Sequence, residues 1–268
     1  MISEIWAHQG SSHVFVENTL AAFKQAVEEG VDGIEFDVQR TADGELVVIH
    51  DEHLMRLTGD QRFVWEVTWA ELQELTLETE MVKPEKLDYF HAKIPKLDDV
   101  LALMKESEVT VNIELKNSVY FYPGMEEEIV ACVNKWELQE RVVYSSFNHL
   151  SMKKMVTLVG AENCAILTLD IQDEPWDYAK QVGVSAYHPM IASMQHLNLV
   201  EKCHQAGLNV RTWTADADVH IYAALLLGVD AVMTNETAKA LKLREQFQED
   251  GGNKALEYVK ASGLKIIE

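Results

Sequence analysis

The sequence predicts an α/β fold, a (β/α)8 TIM barrel, and two observations support this prediction. First, eight short β-like runs alternate with amphipathic helical patterns over 268 residues, a normal length for such a barrel as one domain. Second, the chain is 47% hydrophobic and 25% charged, so it can bury the large core that a closed barrel needs. A doubly wound sheet is the alternative, but its usual glycine-rich fingerprint is missing after the first strand.

The β positions are spaced along the whole chain. They are predicted at residues 5–8, 33–38, 111–115, 142–146, 164–169, 185–188, 209–214 and 230–234. The turn signal at 42–44 returns the chain into 46–50, so that this run and 33–38 are predicted to form a hairpin and count as one unit. Helical patterns lie between the units, and a further helix without an assigned function is expected beyond Gly251-Gly252.

Residues 51–96 interrupt the alternation and are predicted to be a small insertion after the second strand unit. The segment is long and charged, and it contains Trp65 and Trp69. Thr68, with Glu71 three residues later, has the capping-box pattern that begins a helix. We expect a single TIM-barrel domain over residues 1–268, with 51–96 folded over one mouth of the barrel.

Charge and cysteine content exclude several classes of protein. A net charge of −21 argues against nucleic acid and against stable association with an anionic membrane, but not against a small anionic substrate. Three scattered cysteines without a CxxC pair argue against a disulfide framework or a structural zinc site. The N-terminus lacks a signal-peptide pattern and no apolar run approaches the roughly 20 residues that span a bilayer, so a soluble cytoplasmic protein is expected. Assembly into a homo-oligomer stays open.

Carboxylates close two neighbouring predicted strands, at the end of the barrel where catalytic groups of this fold collect. Glu35 and Asp37 are two residues apart, so both point to the same side of one strand. Glu114, at the end of the next parallel strand, adds a third carboxylate. Such a set suits Mg²⁺ or Ca²⁺, because hard cations prefer oxygen ligands. Salt bridges to Lys116 or Arg40 are the structural alternative, and spacing alone does not decide between the two.

Two histidines follow neighbouring predicted strands beside these carboxylates. Taken singly, His8 or His50 is more often a hydrogen-bonded structural residue. Together near a divalent cation, they favour a general acid and a general base that work near neutral pH. Lys116 lies two residues after Glu114 on the same face, where it suits a phosphate oxygen, or else forms a plain ion pair with Glu114.

Six stretches of the chain, in order from about residue 5 to about residue 245, have a specific similarity to known sequences. They read AHQGSSHVFVENTLAAF, DGIEFDVQRTADGELVVIHDEHLMRLTG, IPKLDDVL, VNIELK, YSSFNH and GLNVRTWTAD followed by GVDAVMTN. Together they resemble the glycerophosphodiester phosphodiesterase family, in its short bacterial form. The resemblance implies metal-assisted hydrolysis of a glycerophosphodiester to sn-glycerol 3-phosphate and an alcohol.

The resemblance also implies roles for individual residues. One divalent cation, Mg²⁺ or Ca²⁺, is implied at Glu35, Asp37 and Glu114. The acid–base pair is implied to be His8 and His50, without an assignment of which is the acid. The implied substrate-binding positions are Gln9, Lys116, Glu17 in the motif ENT, and Trp213, for which an ordinary core aromatic is an equally good interpretation.

Two positions depart from the family pattern. Gln9 stands where the family has an arginine, and an amide offers a phosphate neutral hydrogen bonds instead of a charged fork. Asn235 ends the eighth strand where the family usually has aspartate, with a smaller expected effect. Because of Gln9, one alternative is that the chain is a catalytically weak or silent relative that binds glycerophosphodiesters. A phospholipase D-like enzyme is the other alternative, but the short insertion and the expected lack of an exposed apolar or basic loop argue against a membrane substrate.

Overall fold

The computed structural model describes residues 2–77, 92–195 and 198–264. Within these ranges the chain forms nine strands: β1 (Glu4–His8), β2 (Gly33–Arg40), β3 (Leu46–Val48), β4 (Thr110–Leu115), β5 (Val142–Ser146), β6 (Cys164–Thr168), β7 (Ala186–Pro189), β8 (Asn209–Thr212) and β9 (Ala231–Thr234).

Eleven α-helices accompany the strands in the same ranges: α1 (Leu20–Glu29), α2 (Met55–Thr58), α3 (Trp69–Glu74), α4 (Leu97–Lys105), α5 (Met125–Lys135), α6 (His149–Val159), α7 (Pro175–Val182), α8 (Leu199–Gln205), α9 (Asp218–Leu227), α10 (Thr237–Asp250) and α11 (Asn253–Ser262). Four short 3₁₀ helices lie at Val64–Glu66, Gln139–Arg141, Ala161–Asn163 and Ile191–Gln195. None of the described helices combines the length and the apolar character needed to cross a bilayer.

Eight of the strands run parallel and close into a barrel. The order around the sheet is β1-β9-β8-β7-β6-β5-β4-β2, and β1 also pairs with β2, which closes the ring. The ninth strand, β3, pairs antiparallel with β2 outside the ring. The predicted (β/α)8 barrel and its hairpin are therefore confirmed.

The two faces of β2 have different chemistry, and this difference sets the direction of its side chains. Ile34, Phe36 and Val38 are buried in the core between the barrel wall and the helices. Burying each such side chain contributes roughly 1.5–3 kcal/mol. A shift of one residue would send all three to the wrong face. The outward apolar face thus determines that Glu35 and Asp37 point into the barrel.

The barrel interior is filled below the carboxylates. Trp6 packs there with smaller side chains from β5, β6, β7 and β9, namely Val143, Ala165, Ala186, Ala231 and Met233, all buried. Gly33 makes room for the indole, because a Cβ at this position would stand 2.6 Å from the ring of Trp6. Charged side chains also reach this layer, since the guanidinium carbon of Arg211 lies 4.9 Å from the centroid of the Trp6 ring and Trp6 Nε1 donates to Glu4 Oε2 at 2.7 Å.

The predicted strand at 46–50 is shorter than expected, and this corrects the position of His50. β3 ends at Val48, so His50 and Asp51 lie in the bend after it and not at the end of a barrel strand. Because β3 runs antiparallel to β2, the chain returns toward the carboxylates, and the backbone N–H of Ile49 donates to the carbonyl of Asp37 at 3.0 Å. The hairpin therefore brings His50 back to the level of Asp37.

The described parts of the predicted insertion, 51–77 and 92–96, have a small apolar core of their own. Leu54, Leu57, Val64, Val67 and Leu72 are buried there together with residues of the hairpin. The capping box predicted at the start of α3 is confirmed. Residues 78–91 lie outside the described ranges, so the placement of 51–96 over a mouth of the barrel stays a prediction.

Candidate active site

The register of three neighbouring strands brings the predicted carboxylates together. Asp37 of β2 is paired with Glu114 of β4, and Glu35 of β2 is paired with His8 of β1. One oxygen from each of the three carboxylates lies within 4.8 Å of the others, and all three residues are buried. The cluster is therefore a direct result of strand register.

Burial and mutual repulsion control the ionisation of this cluster. Burial, together with the charges of Asp37 and Glu114, raises the pKa of Glu35 well above its ordinary value. Burial also raises the pKa of Glu114 to about 7, against the opposing effect of Lys116. Burial acts in the same direction on Asp37, but the charges of His50 and Lys116 outweigh it and hold the pKa of Asp37 below its ordinary value. The cation-free cluster thus holds protons near neutral pH, and a bound cation would displace them.

The donor set fits a hard divalent cation. Asp37 Oδ2 accepts hydrogen bonds from Gln9 Nε2 at 2.8 Å and from Asn18 Nδ2 at 2.9 Å. Asp37 Oδ1 is buried and accepts no hydrogen bond from the described residues. Buried carboxylate oxygens with spare lone pairs are the ligands that Mg²⁺ and Ca²⁺ prefer.

Of the two basic residues predicted to form salt bridges with the carboxylates, Lys116 does so and Arg40 does not. Lys116 Nζ lies 3.2 Å from Glu114 Oε1 and 3.9 Å from Asp37 Oδ1. Arg40 instead contacts Glu128, with 2.8 Å between the charged atoms. One lysine cannot offset the charge of three ionised carboxylates, so the cluster needs protons or a further cation to be stable when buried.

His50 is held by a chain of charged groups. Its Nδ1 lies 2.7 Å from Asp51 Oδ1, and Arg56 Nε donates to Asp51 Oδ2 at 2.5 Å. Arg56 also donates through both terminal nitrogens to Glu17, so this predicted substrate-binding residue lies behind the histidine. The charge of Asp37, assisted by Asp51 and opposed by burial, raises the pKa of His50 to about 9. His50 is therefore protonated at neutral pH in the cation-free protein.

His8 has a neutral partner instead. Its Nδ1 lies 2.9 Å from Asn235 Oδ1, and Asn235 Nδ2 donates to Asp216 Oδ2 at 2.7 Å. Because a carboxylate only accepts, this bond turns the amide oxygen toward His8, and Ser12 Oγ donates to the same oxygen at 2.7 Å. His8 Nδ1 is therefore the donor in this contact, so that a lone pair of the ring, where it has one, is on Nε2, which lies 3.9 Å from Glu35 Oε2.

The loop after β1 directs Gln9 into the cluster. Gly10 has a φ of 82°, and a Cβ there would stand 2.7 Å from the backbone of Ala22, so the loop is held close against α1. Gln9 is buried, and its backbone N–H lies 3.3 Å from Glu35 Oε2 while its side chain reaches Asp37. The residue thus contacts two of the three carboxylates.

Trp213, the last of the predicted pocket residues, forms part of the inner wall. Its Nε1 donates to the carbonyl of His188 at 2.9 Å, and its ring meets Phe147 edge to face with 5.6 Å between centroids. It packs against the interior cluster around Trp6, as an ordinary core aromatic does.

Sequence reasoning missed several residues that support the site. Asn18 donates a hydrogen bond to Asp37. Asp51 contacts His50 and is itself held by Arg56, and Asp216 orients Asn235. Asn18 and Asp51 each stand next to a residue that the sequence did single out, and that proximity was a usable signal. Arg56 contacts Asp51 five residues earlier and Glu17 39 residues earlier, and Asp216 contacts Asn235 19 residues later, so these roles depend on how the loops fold.

The loops around this mouth expose apolar side chains, so the expectation that no apolar loop is exposed is wrong. Val119 and Phe121, in the loop after β4, are 69% and 66% exposed. Leu169 and Ile171, in the loop after β6, are 56% and 59% exposed, and Leu150, in the first turn of α6, is 78% exposed. The apolar residues of the two loops have no periodicity, which is why the sequence pattern did not reveal them.

Comparison with known proteins identifies the family. Residues 8–239 match the model of the Glycerophosphoryl diester phosphodiesterase family. A glycerophosphodiester phosphodiesterase of Bacillus altitudinis is 35% identical over 249 residues, which cover 92% of this chain and 100% of that protein. The crystal structure of a glycerophosphodiester phosphodiesterase of Agrobacterium tumefaciens superposes on this fold with a TM-score of 0.75. Its sequence is 25% identical, and the match covers 90% of this chain and 100% of the Agrobacterium chain. A phosphodiesterase of Oleispira antarctica, solved in complex with the product sn-glycerol-3-phosphate, is 23% identical, with a TM-score of 0.77 over 91% and 97% of the two chains. The chain therefore belongs to the glycerophosphoryl diester phosphodiesterase family.

Proposed function

We propose that the chain hydrolyses glycerophosphodiesters to sn-glycerol 3-phosphate and an alcohol, with one divalent cation, Mg²⁺ or Ca²⁺, at Glu35, Asp37 and Glu114. As a member of its family the chain is a glycerophosphodiester phosphodiesterase, a phosphoric diester hydrolase. The observation that supports the cation is the buried cluster of three carboxylates, with one oxygen of each within 4.8 Å of the others. The product bound in the Oleispira antarctica relative supports the substrate class. A bound cation would stabilise the negative charge that develops on the phosphoryl oxygens.

His8 and His50 are suited to opposite proton transfers. His50 is kept protonated by Asp37 and Asp51, which suits a general acid that protonates the leaving alkoxide. His8 has an amide partner that leaves its lone pair on Nε2, which suits a general base that takes the proton of the attacking hydroxyl. Two titratable groups with contrasting surroundings are the usual basis of such a division. The attacking hydroxyl is that of water or of the substrate's own glycerol.

Lys116 is suited to bind a phosphate oxygen of the substrate. Burial opposes its charge, but Glu114 and Asp37 outweigh burial and raise the pKa of Lys116 above its ordinary value. The ammonium group therefore stays charged at the edge of the cluster. It would attract the substrate as a point charge, since this chain has no arginine after the first histidine.

Turnover assays with and without a chelator test the proposed reaction. We expect the protein to release sn-glycerol 3-phosphate from glycerophosphocholine and glycerophosphoethanolamine, to lose this activity on metal stripping, and to regain it with Mg²⁺ or Ca²⁺. Full turnover by thoroughly metal-stripped protein would contradict the proposal that the reaction needs a bound divalent cation. Binding of both diesters without turnover in the presence of metal would favour the silent relative.

Gln9 is better suited to orient Asp37 than to hold a substrate phosphate. Its amide and that of Asn18 both donate to Asp37 Oδ2, which leaves Oδ1 for a cation. Hydrogen bonds to the back of a metal ligand fix its orientation, and their loss typically weakens metal binding by about 10–100-fold. This role differs from the phosphate contact expected of the residue after the first histidine.

Gln9→Ala should accordingly weaken Mg²⁺ or Ca²⁺ binding by about 10–100-fold, with little change in the substrate KM at saturating cation. Isothermal titration calorimetry measures the first effect and steady-state kinetics the second. Asn18→Ala removes the other amide and should behave in the same way. A raised KM with unchanged cation affinity would instead assign Gln9 to the substrate phosphate.

Three expectations from the sequence stay predictions, and assembly into a homo-oligomer stays open. They are a cytoplasmic location, the lack of a nucleic-acid partner and the lack of a stable membrane association. The net charge of −21 supports the second, because phosphate backbones bind basic surfaces.

A further inference from the structure

A cavity opens at the amino end of the barrel, on the side opposite the candidate active site. Its volume is about 940 Å³, and it is lined by the amino ends of β1, β8 and β9, by α8 and by the carboxyl end of α9. This volume lies within the range of roughly 300–1,000 Å³ that is usual for small-molecule sites. Trp6 and the side chains packed around it fill the barrel between this cavity and the carboxylates, so the two sites are separate.

Arg211, which lines this cavity, also reaches the barrel interior. Its guanidinium carbon lies 4.9 Å from the centroid of the Trp6 ring, and its Nη1 donates to His188 Nε2 at 3.2 Å. A guanidinium only donates, so His188 accepts through Nε2 and is neutral. Burial and the charge of Arg211 lower the pKa of His188, in agreement with this state. Neither contact supplies Arg211 with a negative charge.

Arg211 is therefore a partly buried cation without an anionic partner. Within the described ranges it forms no ion pair, and burial lowers the pKa of Arg211 against the opposing charges of Asp230 and Glu4, which act from a distance. Charged groups that leave water are normally paired. The planar fork of an arginine matches a carboxylate or a phosphate, and His188 uses only one of its five N–H donors. An oxyanion in the cavity would complete these contacts.

The rest of the cavity favours a positive charge beside that oxyanion. Glu4, Glu201 and Asp230 line it, and Asp230 has one partner there, His204 Nε2 at 2.8 Å. Gly228 at the carboxyl end of α9 also lines the cavity, and the carboxyl end of a helix attracts cations. A simple anion would be repelled by this surrounding, whereas a ligand that also carries an ammonium group would be attracted by it.

Apolar side chains complete the lining. Leu208 and Val229 are buried in the wall, and Leu227 and the exposed Ile2 stand beside them. An aliphatic group bound there would remove both its own surface and that of Ile2 from water.

We propose that this cavity binds a small zwitterion with an aliphatic portion, which is the chemistry of an α-amino acid with an apolar side chain. The carboxylate would contact the fork of Arg211, the ammonium group would face Glu4 and Asp230, and the side chain would pack against Ile2 and Leu227. An aminoalkyl phosphate shares the oxyanion and the ammonium group but lacks the aliphatic portion, so the experiment includes both sources.

Isothermal titration calorimetry with leucine and its fragments tests this inference. Isocaproate lacks the ammonium group, isoamylamine lacks the carboxylate, and glycine lacks the aliphatic portion. We expect leucine to bind with a Kd at least about 10-fold below that of each fragment, because each removes one of the three kinds of contact. Tighter binding of phosphoethanolamine than of leucine would overturn the apolar amino acid as the ligand.

Two variants and a control assign the contacts. Arg211→Met should weaken leucine binding at least about 10-fold. Glu4→Gln keeps an acceptor for Trp6 Nε1, and it should weaken leucine binding about 3–10-fold without weakening that of isocaproate. Arg62→Met removes a guanidinium that is paired with Asp60 outside the cavity, and it is the matched control with unchanged binding.

The outcomes are independent of turnover, so they separate this inference from the proposed function. Lack of leucine binding at millimolar concentration would overturn the inference alone. Displacement of leucine by sn-glycerol 3-phosphate with Mg²⁺ would place it in the active site and would also overturn the inference. Unchanged binding in Arg211→Met, with circular dichroism showing a folded protein, would do the same. If Arg211→Met does not fold, Glu4→Gln and the fragment series decide.

Discussion

Replacing His50 by alanine should lower kcat for glycerophosphocholine by at least about 10²-fold, because the leaving alkoxide would lose its proton donor. The loss should appear in kcat more than in KM, since the proton is transferred in the transition state. A substrate with a p-nitrophenyl leaving group needs no acid, so it should recover most of the loss. Steady-state kinetics with both substrates measure the effect, and circular dichroism shows whether the fold is kept.

His8→Ala is the matched comparison for this prediction. A good leaving group should not rescue it, because a base acts on the attacking hydroxyl. If the rescue occurs in His8→Ala and not in His50→Ala, the two roles are reversed. Turnover like that of the unmodified protein in both variants would contradict proton transfer by these histidines.

The same assignment gives the direction of the pH dependence. The acid must be protonated, so turnover should fall as the pH rises through the pKa of His50, which is about 9 in the cation-free protein. A cation bound at Asp37 offsets part of the negative charge that raises this pKa. The fall is therefore expected at or below pH 9, and Asp51→Asn, which removes the carboxylate at His50 Nδ1, should move it to lower pH.

Replacing Glu114 by glutamine should reduce turnover by at least about 10²-fold, because one of the three anionic oxygens proposed to hold the cation is lost. Cation affinity should fall in parallel in calorimetric titrations. Glu128→Gln removes a carboxylate that is paired with Arg40 on the surface, and it is the matched control with near-normal values. Normal cation affinity in Glu114→Gln would contradict its place among the ligands.

Cation binding should also depend on pH. Burial raises the pKa of Glu114 to about 7 and that of Glu35 well above its ordinary value, so protons occupy the cluster before the cation does. Affinity should therefore weaken as the pH falls through about 7, by up to about tenfold per pH unit for each proton displaced. Titrations at pH 6, 7 and 8 in buffers of different ionisation enthalpy measure both the affinity and the protons released. An affinity that is constant over this range would contradict this linkage.

The barrel and its carboxylates could be predicted because both follow from local patterns. Alternation along β2 decides which residues face inward, and the parallel register with β4 then places Glu114 beside Asp37. The first step needs only the local sequence, and the second follows from the predicted strand order, in which the strand at 111–115 comes next after the unit at 33–50. The position of His50 was less accessible, because it depends on where β3 ends and on its antiparallel return.

The amide partner of His8 and the ion pair behind Asp51 were beyond the sequence pattern. Asn235 is 227 residues away from His8, and Arg56 is 39 residues away from Glu17. Such contacts exist only after the ring has closed and the hairpin has folded back. Gln9 shows the same limit in another way. The sequence shows that an amide stands at this position, but the direction in which the amide points depends on the close approach of the loop to α1.

The indole of Trp6 and the small side chains around it fill the barrel below the carboxylates. Among the described residues, the interior of the barrel is thus filled below the candidate active site. Diester and water are expected to enter, and both products to leave, at the carboxyl ends of the strands, past the loops that follow them. Substitutions in those loops can therefore change the rates of substrate entry and product release without changing the groups proposed to carry out the chemistry.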